Sequence, residues 1–299
     1  ADKGDDFVFS LLPKAFSKDP FVNMTVFTEM TEAGKKITPP TPDNPAYYFA
    51  ESGGFHVFGP SYGNLTPPSQ ELIEGILRKT LADEGYRSEA PPEHAATLAV
   101  IYSWGMHNKM RGRDDGENDD GPPDPYAGIK NLYDRAALIG GESYAKKLVE
   151  ADIAATNQAA DLDSSGAAGS RIGSPVLTSG AAAFLKKMNP VQRMYNSSSN
   201  MANLMEQTND DVYFVVASAY DYQALATGER KLLWRTKMTV DTKGVSMADT
   251  MPAVIVAAAP YFGHETDEAM ALTKRVVRQG NVEVGTPTVV EPVKEPAKK

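Results

Sequence analysis

The chain has 299 residues, 41% of them apolar and 23% charged, with a formal charge of −9 and no cysteine. That is long enough to bury a sizeable core, and the acidic balance argues against a nucleic-acid backbone as partner, which needs clustered Lys and Arg. Disulfides, thiolate metal sites and cysteine nucleophiles are excluded together, and no apolar run reaches the roughly 18 residues of a membrane span.

Residues 1–45 read as an extended N-terminal arm of polar and proline-rich stretches, within which Phe21–Thr28 has the pattern of an edge strand. The opening Ala1-Asp2, followed by polar residues, matches the small-residue junction left by signal-peptide removal and predicts an exported protein. Asn23, Asn64 and Asn196 begin glycosylation-type triplets, which identify nothing without a host. In Ala46–Pro60 two aromatic runs flank Ser52-Gly53-Gly54, which predicts a hairpin with a glycine turn.

The spacing then predicts a helix over Pro67–Glu84. Thr66 would cap it, Pro67 suits its first position and Gly85 its end. Leu72, Ile73, Ile76, Leu77 and Leu81 fall on one face. Thr97–Trp104 is a nearly unbroken apolar run, suited to a central strand buried on both sides.

From about 107 to 207 the pattern changes to an acidic, glycine-rich loop followed by helical spacing over Tyr126–Asn157. Asp161–Gly173 has linker composition, and Val176–Met188 and Asn200–Gln207 read as short helices. This hundred-residue stretch is expected to be a helical insertion between neighbouring strands of one sheet. Val212–Tyr220 and Lys231–Val240 resume the sheet as a hairpin with a turn at Thr227-Gly228. In the second strand Leu232, Trp234, Met238 and Val240 share one face, and Arg235, Lys237 and Thr239 a wetter one. Ser246–Phe262 is an alanine-rich helix, with Pro252 placing its first turn near Met251. The predicted fold class is therefore α/β (α+β): a mixed, largely antiparallel sheet packed by helices. The domain is expected to span 46–269, with 270–299 an extended C-terminal tail.

The order of helix, Leu81…Gly85-Tyr86, proline-rich loop, strand, insertion, strand and Trp-bearing strand resembles bacterial envelope domains of the TolB N-terminal and lipoprotein-like type. The likeness rests on those residues and on Asp221, Thr227, Gly228, Leu233, Trp234 and Arg235, about a third of the chain. It implies an exported α/β sandwich and carries over no catalytic residue. The long insertion, the tails and the absence of a lipid-bearing cysteine depart from the pattern.

Candidate sites are few. Asp114, Asp115, Glu117, Asp119 and Asp120 could supply oxygen ligands to a calcium-like cation, but their spacing is not that of an EF-hand loop, and a solvated tip is the simpler reading. The four histidines, His56, His94, His107 and His264, form no metal-binding pair. No nucleophile elbow or phosphate loop occurs, so no catalytic residue and no cofactor is assigned. Tyr47, Tyr48, Phe55 and Phe58 are the candidate binding residues. The sequence thus predicts a non-catalytic exported or envelope protein that serves as a structural or assembly subunit, self-associating or joined to an envelope partner. The alternatives are a periplasmic binding module for a peptide, glycan or envelope protein, and a metal-assisted hydrolase using His107 with the acidic loop.

Overall fold

A computed structural model describes residues 20–61, 65–90, 92–110, 126–164 and 199–276. One seven-stranded sheet organises them, in the order β3-β2-β4-β5-β6-β1-β7. Its strands are β1 (Phe21–Met30), β2 (Ala46–Phe58), β3 (Tyr86–Ser88), β4 (Leu98–His107), β5 (Val212–Asp221), β6 (Leu232–Asp241) and β7 (Met270–Arg275). β2 runs parallel to β3 and β4, and every other pair is antiparallel. The mixed, largely antiparallel sheet expected from the sequence is what the chain forms.

Helices cover both faces. On one, α1 (Gln70–Asp83) and α5 (Met247–Ala257) pack on each other and on the sheet. Ile73, Leu77 and Leu81 of α1 are buried with Met251, Val254 and Ile255 of α5 against Val100, Tyr102, Val215 and Met238. Each such side chain contributes about 1.5–3 kcal/mol of burial. On the other face lie α2 (Ala127–Ser164), broken at Gly141, and α3 (Ser199–Thr208). Leu132, Ala136, Ile139 and Leu148 of α2 meet Leu204 and Met205 of α3 in a second core. Both helices belong to the segment between β4 and β5, which pair directly from Leu98↔Asp221 to His107↔Val212. The insertion therefore leaves and rejoins the sheet at one end of two adjacent strands.

Several local expectations are corrected. Ala46–Phe58 is one strand, not a hairpin, because β4 pairs with it from Tyr48↔Leu98 to Phe58↔His107. The Ser52-Gly53-Gly54 glycines make a bulge instead, closed by Gly54 N–H donating to Ser52 Oγ at 3.2 Å. Phe21–Met30 is not an edge strand: it pairs with β6 on one side and β7 on the other, since Val22, Met24 and Val26 are buried in the first core. Met270–Arg275, read as part of the tail, supplies the edge. α1 starts later than Thr66 and Pro67 suggest, because Ser69 Oγ accepts from Leu72 N–H. Leu72 is consequently exposed.

The strands β5 and β6 are neighbours as expected, but a five-residue helix, α4 (Tyr222–Ala226), precedes the Thr227-Gly228 turn. α5 begins at Met247, ahead of the position that Pro252 suggested, because Ser246 Oγ caps Asp249 N–H at 3.2 Å. The proline removes one helix N–H and crowds the Ala248 carbonyl a turn earlier, a cost set against the burial of Met247 and Met251 on the same helix. The wetter face of β6 is covered by α2 and α3, so Lys237, Thr239 and Asp241 are buried there. Val176–Met188 lies outside the described residues.

Candidate functional site

Three places collect side chains with chemistry. The first is a cavity of about 330 Å³ at the sheet end where β1 and β5 finish and β2, β4 and β6 begin. Met30, Leu98 and Leu233 line it with apolar side chains from three strands, and Ile37–Pro40 of the β1–β2 connection line it as well. Its aromatic wall is Tyr86 packed edge-on to Trp234, with ring centroids 5.7 Å apart. Burial pushes the Tyr86 phenol above its ordinary range. The Tyr86 hydroxyl donates to Phe262 C=O at 3.4 Å. Gly263 sits against both rings: a Cβ there would fall 2.1 Å from the phenol oxygen and 3.3 Å from the indole nitrogen. Its φ of +70° is a second reason for glycine.

Asp221 and Gln223 bring polar groups to this cavity. Asp221 Oδ1 accepts from the Gln223 and Ala224 N–H groups, and Oδ2 accepts from Lys231 Nζ at 2.9 Å. The hydrogen bond from Lys231, then that from Ala224, holds the carboxyl below its ordinary range, so it is ionised at neutral pH. Tyr86, Asp221, Leu233 and Trp234, four of the residues that carried the family likeness, thus meet at one cavity. Their sequence pattern suggested structural roles alone.

The second place is the half of the sheet formed by β3, β2 and β4, on the insertion side. α2 packs over β1 and β6, and α3 over β7, while Phe49 and Phe58 stay 39% and 48% exposed. The four candidate binding residues do not share a face. Tyr48 is buried and Phe55 packs toward Trp104 in the first core. Tyr47 stacks on His94 at 4.3 Å, and Phe58 lies 5.7 Å from both His107 and Phe214. Phe49, beside Tyr222, and His56, beside Phe58, complete an aromatic row along β2 that sequence reading missed. Period-2 alternation would have found Phe49 had the strand been read as one.

At the opposite sheet end a buried polar cluster ties the insertion down. Arg135 of α2 is fully buried, with Nε donating to Thr208 C=O at 2.7 Å and Nη1 to Asn131 Oδ1 at 2.6 Å. Asn131 Nδ2 donates to Asn108 C=O at 2.9 Å, and Tyr144 and Thr208 join their hydroxyls at 3.1 Å. Burial lowers the Arg135 pKa to about 10. His107 is 4% exposed, and burial followed by the Arg135 charge pulls its imidazole down to about 4, keeping it neutral. His56 Nε2 is bonded to Gly53 C=O, and His264 is exposed. Asp114, Asp115, Glu117, Asp119 and Asp120 lie outside the described residues. Among the described residues no group of three His, Asp or Glu side chains is placed to hold a metal ion, and no helix is long and apolar enough to cross a membrane.

No protein-family model matches the chain, and no curated protein matches its sequence.

Proposed function

We propose that this protein is a non-catalytic binding and assembly module that takes an extended segment of a partner polypeptide as an added strand beside β2. One observation carries the reading: β3 pairs only with Ala46, Tyr47 and Tyr48, although β2 continues to Phe58. The hydrogen-bond parity identifies the exposed groups. Tyr48 C=O accepts from Glu89 N–H on the β3 side, whereas Phe58 C=O accepts from Asn108 N–H on the β4 side. Alternation through the bulge then turns the backbone groups of Ala50, Ser52, Phe55 and Val57 away from β4. Among the described residues no strand occupies that edge, which spans about 23 Å at 3.3 Å per residue.

Strand addition obtains affinity from main-chain hydrogen bonds and specificity from alternate side chains. The neighbouring row of Tyr47, Phe49, His56 and Phe58 favours aromatic or aliphatic side chains at alternate positions of the guest. The cysteine-free composition and the likeness to envelope domains support an exported protein working among envelope polypeptides.

The test is selection of random ten-residue peptides on the full chain, with Val57→Pro as counter-target. Because the Val57 N–H faces the open edge, proline there removes a docking donor and spares the β2–β4 ladder. Peptides of alternating pattern that bind the parent chain and not Val57→Pro are the expected result. Enrichment indifferent to that substitution would remove the basis of the reading. Concentration-dependent dimerisation abolished by Val57→Pro would make a second copy the guest.

A further inference from the structure

Beyond that reading, we propose that the cavity behind Trp234 and Tyr86 binds a small, flat, two-ring ligand bearing an amine. Size sets the first limit. A dry cavity of about 150 Å³ takes one benzene ring, so the roughly 330 Å³ here admits a bicyclic body. Shape sets the second. The rings of Tyr86 and Trp234, set edge to face, and the rings of Pro39 and Pro40 are all among its lining. Flat rings fill such a slot with little conformational cost.

The amine follows from Asp221. A carboxylate has about four acceptor positions, and two backbone N–H groups and Lys231 occupy three of them. One position remains for a ligand donor, on the sole carboxylate among the described residues that line the cavity. Lys231 is exposed and is not among the described residues that line the cavity, so it leaves the interior clear. Gly263 lets both rings stand where they do, because a Cβ there would overlap the Tyr86 phenol and push it out of the wall.

Tryptamine is the probe, with indole-3-acetate as its acidic counterpart of similar size, each titrated into the ¹⁵N-labelled full chain. The readout is the indole N–H signal of Trp234, assigned with Trp104→Phe. Tryptamine is expected to shift that signal saturably and indole-3-acetate to leave it in place. Asp221→Asn keeps an oxygen for the capping N–H groups but removes the charge, and should weaken tryptamine about tenfold, the effect of one charge-assisted hydrogen bond. Val57→Pro should leave the titration unchanged, which separates this site from the β2 edge. The proposal is overturned if neither probe shifts Trp234, if both do so equally, or if Asp221→Asn binds tryptamine as the parent does.

Discussion

Gly263→Ala tests how tightly the Tyr86–Trp234 wall is built. The new methyl would lie 2.1 Å from the Tyr86 phenol oxygen, more than an ångström inside ordinary contact. At φ +70° the alanine backbone itself is strained by about 1–2 kcal/mol. Pushing the phenol aside weakens its long hydrogen bond to Phe262 and its edge-on contact with Trp234, together about 1–2 kcal/mol. The single substitution should therefore cost about 3 kcal/mol. Tyr86→Phe alone should cost about 1 kcal/mol, because only the hydroxyl is lost. The double variant removes the atom that the methyl strikes, while the ring carbon beneath it stays at an ordinary 3.4 Å. Its cost should be about 2.5 kcal/mol rather than the additive 4. Denaturant unfolding of the four proteins, compared by midpoint at constant slope, measures the cycle. Additivity within about 0.5 kcal/mol would refute the contact between Gly263 and the phenol.

Three further outcomes follow from named groups. Ser246→Ala removes the α5 cap and should lower stability by about 1 kcal/mol in denaturant melts. His107 is held neutral in the fold, with its pKa near 4 against about 6.5 when unfolded. Between those values the unfolded chain gains a proton that the folded chain refuses, so stability falls by up to about 3 kcal/mol as pH drops from 6.5 to 4. His107→Gln should flatten that part of the profile, and an unchanged slope would contradict the burial argument. Val57→Pro should stay folded by far-UV circular dichroism, whereas His56→Pro, whose N–H belongs to the β4 ladder, should lose several kcal/mol or fail to fold.

Legibility varied with how local the cause was. β4 and β5 could be read because strands in the middle of a sheet carry nearly continuous apolar side chains, and Leu98, Ala99, Val100, Val212, Phe214 and Val215 are all buried. β2 was misread because Gly53 and Gly54 serve a bulge and a hairpin turn equally well, and only the parallel partner β4 decides between them. The aromatic row was half visible for the same reason: once the strand is continuous, Tyr47 and Tyr48 must face opposite ways. The cavity was not legible at all, since Met30, Tyr86, Asp221 and Trp234 are separated by up to two hundred residues.

What the amino-acid order determined alone was the set of amphipathic and apolar segments, the helical character of the stretch between β4 and β5, and the absence of thiol chemistry. These depend on periodicity and composition, which act over a few turns or residues. The tertiary structure alone decided that Phe21–Met30 lies inside the sheet with Met270–Arg275 at its edge, that the insertion folds back over β1 and β6, and that β2 runs on past β3 with no further strand beside it among the described residues. Such choices depend on which apolar faces cover one another across the whole chain, and no local pattern encodes that competition.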